Sequence, residues 1–129
     1  MRALDTNVLV RFLVSDDVAQ SARARRVFER AGESDLYVSP VVVCETIWVL
    51  RRAYEFTRAE IAQTLQKLLG VRQLVFGESD AVGNALEAYA EGKGDFADYL
   101  IREQAIAAGC DDVVTFDREL LKETGFAMP

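Results

Sequence analysis

Short runs of strand-forming residues alternate along this chain with stretches of helical periodicity, and that alternation most restricts its fold. Residues 2–5 (RALD) read as a brief strand leading into a helix over about 7–14. Ser15-Asp16-Asp17 then caps a second helix, with Ala24, Val27, Phe28 and Ala31 on one face and Arg23, Arg26 and Arg30 on another. Residues 36–39 (LYVS) form the next strand, and Pro40 suits the first turn of the helix that follows. Thr57 and Glu60 have capping-box spacing ahead of Ile61, Leu65, Leu68 and Leu69, which fall at i, i+4, i+7 and i+8. A strand near 72–76, a helix marked by Val82, Ala85, Leu86 and Tyr89, and a helix from Gly94-Asp95 to about Gly109 complete the middle. Residues 112–116 (DVVTF) read as the last clear strand, with Asp117 opening a terminal helix. The pattern predicts an α/β fold, a single domain over 1–129 with a small, mostly parallel sheet flanked by helices on both faces. Such sheets bind ligands beyond the carboxyl ends of their strands. Asp5 and Asp117 each end a strand and start a helix, so both are expected on that one edge.

Histidine is absent from all 129 residues. This removes imidazole acid/base catalysis, Ser-His and Cys-His nucleophile pairs and the commonest zinc ligands. Cys44 and Cys110 are too few for a disulfide scaffold or a zinc site and fit a reducing cytosol. Asp5, Asn7 and Arg11 interrupt any signal-peptide core, and the run VVVC at 41–44 is far short of the roughly 20 apolar residues a membrane helix needs. The expected location is therefore cytoplasmic, without a membrane partner. The net charge of -6 is uneven: residues 78–129 hold twelve acids against four bases, whereas residues 1–30 hold six arginines against four acids. An acidic total argues mildly against nucleic-acid binding, except in a nuclease, whose metal site must itself be acidic.

The carboxylates divide by context. Asp5 and Asp117 are explained equally by helix capping or by ligation of a metal ion. Asp95 and Asp98, in GDFADYLI, also have a capping explanation: Asp95 is the N-cap and Asp98 gains from the helix dipole. Their i, i+3 spacing also places both on one face, where two carboxylates can share a cation. Capping leaves the N3 carboxylate, Asp98, freer to reach an ion than the N-cap acid. Glu45 lies in VVVCETIWVL, where eight of ten residues are apolar and no base occurs. Buried and unpaired there, it would cost several kcal/mol, so a proton, a hydrogen bond to Thr46 or the backbone, or a metal ion must be invoked. Together these five acids form an oxygen-only set that suits Mg²⁺ or Mn²⁺, with a metal-activated water as nucleophile for phosphodiester hydrolysis.

LDTNVLVRFL, the isolated glutamate of PVVVCETIWVL, DFADYLI and VVTFD occur in the order of the motifs of PIN-domain ribonucleases, and the chain resembles the VapC-type toxins of prokaryotic toxin–antitoxin pairs over essentially its whole length. The resemblance implies a Mg²⁺-dependent endoribonuclease, with Mn²⁺ as a substitute, acting as a homodimer and neutralised by a small antitoxin. Carried over by motif, Asp5 and Asp98 resemble the principal metal ligands, and Glu45 and Asp117 the remaining catalytic acids. Asn7 and Thr115 resemble polar supports for those carboxylates, with Asp95 a further supporting acid. Arg102-Glu103 stands where small residues are often found, and the ending GFAMP allows only a very short last strand. The shared face of Arg23, Arg26 and Arg30 is a candidate RNA contact, set against an ordinary solvated helix face.

Three other classes compete. A haloacid-dehalogenase-like phosphatase needs a second Asp where Asn7 stands. A response-regulator receiver needs a Lys after a late strand, where the chain reads Thr115-Phe116-Asp117. A non-catalytic α/β binding module leaves the acids as caps and explains Glu45 least well.

Overall fold

The structure is a computed structural model describing residues 1–129. It contains six α-helices and five short strands, arranged as two compact units, Met1–Ser79 and Asp80–Pro129. Every strand pair is parallel.

In the first unit, β1 (Arg2–Ala3), β2 (Leu36–Val38) and β3 (Leu74–Phe76) lie side by side in that order, with Ala3 opposite Tyr37 and Val38 opposite Phe76. Parallel neighbours require crossover connections. Those here are helical: α1 (Thr6–Leu13) and α2 (Val18–Arg30) between β1 and β2, and α3 (Pro40–Arg52) and α4 (Arg58–Leu69) between β2 and β3. Each helix begins at a side chain that satisfies a free backbone N–H. Asp17 accepts from the Gln20 N–H at 3.0 Å, and Ser39 from Val42 at 3.2 Å, with Pro40 behind it in the first turn. Thr57 and Glu60 close the expected capping box at 3.1 and 2.9 Å. Helix α1 packs on α2 and α3, and Phe12 stacks on Phe28 with ring centroids 3.7 Å apart. Leu9, Leu36, Val38, Val43, Leu50, Ile61 and Leu65 are almost completely buried.

In the second unit, α5 (Ser79–Glu91) and α6 (Phe96–Ala107) precede a parallel pair, β4 (Val113–Val114) with β5 (Phe126–Ala127). Tyr89, Tyr99, Ala85 and Leu86 are buried here, and Tyr89 meets Phe96 edge to face at 6.3 Å.

The α/β class and the parallel pairing agree with the sequence. The single sheet does not: β4 and β5 form a sheet of their own, so Asp5 and Asp117 follow strands of different sheets. The expected strand over 112–116 shortens to two residues because Thr115 already turns the chain, its Oγ1 accepting the Asp117 N–H at 3.0 Å. The expected terminal helix is one 3₁₀ turn, Leu120–Lys122, because Gly125 (φ 93°) reverses the chain into β5 directly afterwards.

Candidate active site

Asp5 stands just past β1 as the N-cap of α1, exposed to solvent, with one carboxylate oxygen accepting the Thr6 N–H at 2.8 Å. This occupies one oxygen and leaves the other unbonded within the chain. Asn7, in the first turn, is also exposed and lines a cavity of about 340 Å³ with Val8, Arg11, Gln20, Arg23, Ala24 and Val27. Arg11 is already engaged there, with Asp16 at 2.7 Å, Gln20 at 2.8 Å and the Tyr54 hydroxyl at 2.9 Å.

Glu45 corrects its expected environment. Helix α3 buries Val43, Thr46, Ile47 and Leu50, a face that the 3.6-residue period turns away from position 45, and Glu45 is exposed. A run that is mostly apolar is not a buried run when it is wound into a helix. No partner is needed to offset burial, and the carboxylate is free to act outward. Its charge is nonetheless felt by Cys44, whose thiol is pushed up chiefly by burial and secondarily by Glu45.

The second unit gathers acids. Asp95 is the N-cap of α6 and Asp98 its third residue, forming a capping box whose Asp95 N–H donates to Asp98 Oδ2 at 3.3 Å. Asp98, expected to be the freer of the pair, is thus engaged itself, and it is half-buried whereas Asp95 is exposed. Burial raises the Asp98 carboxyl above its ordinary 3.8; the Asp95 backbone hydrogen bond opposes this, and the charges of Asp95, Asp117 and Glu123 add to it. Asp117 is held by its own turn: Oδ1 accepts the Glu119 and Leu120 N–H groups at 2.9 and 3.3 Å, while Thr115 fixes its backbone. Asp95, Asp98 and Asp117 therefore share one electrostatic neighbourhood, whereas Asp5, Asn7 and Glu45 belong to the first unit.

Glu123 is a member of this neighbourhood that sequence reasoning missed. The hydroxyl of buried Tyr99 donates to the Glu123 carboxylate at 2.8 Å and accepts the Gly94 N–H at 2.9 Å. Nothing in the local pattern LKETGF distinguishes Glu123 from a solvated loop acid; only the turn back toward Tyr99 does. Thr6 was passed over, and the hydrogen bond between Glu45 and Thr46 considered from the sequence is not made. The hydroxyls of Thr6 and Thr46, each next to a candidate acid, are buried without a hydrogen-bond partner, a condition costing about 1–3 kcal/mol each.

In kind, these groups suit a hard divalent cation: all donors are oxygen, and like charge around Asp98 is what a cation relieves. Within neither unit do three acidic side chains converge closely enough to hold one ion. No helix is long and apolar enough to cross a membrane.

An α/β chain with an aspartate just past its first parallel strand and a histidine-free set of acids falls into a known class. The profile of the PIN domain matches residues 2–127, and the chain belongs to the PIN-domain family. It is similar to a VapC ribonuclease of Aquifex aeolicus strain VF5, 27% identical over 128 residues that cover 98% of this chain and 93% of that protein. Among solved structures it resembles VapC20 of Mycobacterium tuberculosis, described as a sarcin–ricin loop cleaving toxin, at 19% identity, TM-score 0.45 and full coverage of both chains. A toxin–antitoxin complex from Klebsiella pneumoniae gives 16% identity and TM-score 0.39, covering 99% of this chain and 97% of that one.

Proposed function

We propose that the protein is a Mg²⁺-dependent endoribonuclease, the toxin of a toxin–antitoxin pair, with Mn²⁺ as an effective substitute. The observation that carries this reading is a PIN-family chain of 129 residues without one histidine, whose half-buried Asp98 is surrounded by carboxylates. Such a chain has no imidazole with which to activate water. A bound divalent ion would supply Lewis acidity and lower the pKa of water there. Asp5 and Asp98 are the residues that would hold it, and Glu45 and Asp117 the further acids of the catalytic set. Thr115 sets the backbone of Asp117, Asn7 supports Asp5, and Asp95 anchors the first turn of α6 beneath Asp98. The substrate is RNA, and Arg23, Arg26 and Arg30 are its candidate phosphate contacts. A small antitoxin inhibits by presenting a cationic side chain to the acids through charge-assisted hydrogen bonds. The active form is a cytoplasmic homodimer.

The test is cleavage of RNA by the purified chain. Cutting in Mg²⁺ or Mn²⁺ that stops in EDTA and returns when the metal is restored is expected. Equal cleavage in EDTA would end the proposal.

A further inference from the structure

Three of the four arginines of α2 border a solvent-open hollow. Arg23, Arg26 and Arg30 join Arg2 around a cavity of about 370 Å³, walled also by Met1, Val27, Ala31, Asp35 and Leu36. The topology places it. Helix α2 ends at Arg30 and a short connection enters β2 at Leu36, while Arg2 opens β1 opposite Leu36 and donates its N–H to the Asp35 carbonyl at 2.8 Å. The cavity therefore sits at the amino-terminal ends of β1 and β2. Asp5 stands past the carboxyl end of β1, at the other edge of the same sheet.

None of the four guanidiniums makes a hydrogen bond or ion pair within the chain. Other arginines do: Arg11 pairs with Asp16, Arg25 donates to Ser15, and Arg102 pairs with Glu103. The one acid in the wall, Asp35, is occupied by the Gly32 N–H at 2.9 Å. Helix α2 holds a single acid, Glu29, which does not line the cavity. Four like charges facing one hollow repel one another, and an anion entering it removes that cost. Guanidinium suits phosphate oxygens in particular, because its planar fork gives two parallel hydrogen bonds.

We propose that this cavity is an RNA exosite, gripping a backbone phosphate away from the bond that is cut. The proposal rests on the nuclease reading for its choice of RNA over a free phosphorylated molecule. A strand of three residues spans only about 10 Å, so one RNA a few nucleotides long can reach from this cavity to Asp5.

The experiment compares the wild-type chain with the triple variants Arg23→Ala/Arg26→Ala/Arg30→Ala and Arg23→Lys/Arg26→Lys/Arg30→Lys. All three positions are exposed, and Ala favours helix, so thermal midpoints should stay together. Binding of a fluorescent single-stranded RNA is measured in EDTA over a salt series. The wild-type slope of log K against log salt should fall by about 2 in the Ala triple, since each lost phosphate contact is worth about 0.7 on a single strand. The Lys triple should keep most of that slope. In Mg²⁺ the Ala triple should raise KM for a long RNA more than it lowers kcat. Unchanged affinity and slope in the Ala triple would overturn the exosite, and wild-type cleavage in the same assay would leave the nuclease reading standing. The reverse result, arginine-dependent RNA binding with no cleavage in either metal, would sink the nuclease reading and keep the exosite. Displacement of RNA by equimolar inorganic triphosphate would overturn RNA as the occupant in favour of a small polyphosphate.

Discussion

At the scale of residues, two carboxylates three positions apart answer to different forces. Asp98 is half-buried among Asp95, Asp117 and Glu123, and its carboxyl is raised first by burial and then by their charge. A carboxyl raised by folding penalises the ionised fold: the loss is complete above the raised value and absent below the ordinary 3.8. Asp98→Asn should therefore raise the thermal midpoint in EDTA at pH 7, and this advantage should vanish as the pH falls toward 4. The same variant should abolish RNA cleavage. A metal-free midpoint that falls at pH 7 would show that the 3.3 Å hydrogen bond to Asp95, which a neutral amide accepts less strongly, outweighs the relief of charge. Asp95→Asn keeps a good N-cap, so stability should hardly change and cleavage should fall only in part. Glu45→Gln makes a cleaner separation, because the side chain is exposed. We expect an unfolding free energy within about 0.5 kcal/mol of wild type, as for surface substitutions generally, together with loss of cleavage. Retained cleavage would remove Glu45 from the catalytic acids.

At the scale of elements, the sequence showed local signals well and long-range ones poorly. The capping box of Thr57 and Glu60, the Pro40 start and the three strands of the first unit were legible because caps, turns and apolar periodicity are written within a few residues. The separate β4–β5 pair was not, because two-residue strands carry no period and their pairing depends on a turn at Gly125. Arg102-Glu103 was likewise opaque, read only as a departure from small residues. In the fold Arg102 pairs with Glu103 at 3.0 Å, donates to the Thr124 carbonyl at 3.1 Å and lies over the Tyr99 and Phe126 rings, fastening β5 to α6. The connection from α5 to α6 is as tight. A Cβ on Gly92 would meet the Ala88 carbonyl at 2.8 Å and overlap the Tyr99 hydroxyl, the group that holds Glu123. Gly92→Ala should thus destabilise by about 1–3 kcal/mol, the range for overpacking a filled site, and urea denaturation would measure it. An unchanged urea midpoint would mean that the Tyr99 ring moves aside without cost.

Over the whole molecule, charge is divided between the two units. Met1–Ser79 carries eleven bases against ten acids, and Asp80–Pro129 carries four bases against eleven acids. The unpaired guanidiniums belong to the first and the carboxylates around Asp98 to the second. Salt screens both sets, whereas a ligand of the right sign acts on only one. Added Mn²⁺ should accordingly raise the thermal midpoint further than NaCl of equal ionic strength. Because binding only to the folded chain stabilises by RT ln(1 + [Mn²⁺]/Kd), the gain should keep climbing above Kd by about 1.4 kcal/mol per tenfold concentration. Asp98→Asn should weaken that response, since it removes a charge from the proposed ligands, while the alanine triple in α2 should retain it. Equal responses to Mn²⁺ in wild type and Asp98→Asn would place the bound ion elsewhere among the acids. A response lost in the arginine triple would instead join two charge clusters that the proposed roles keep apart.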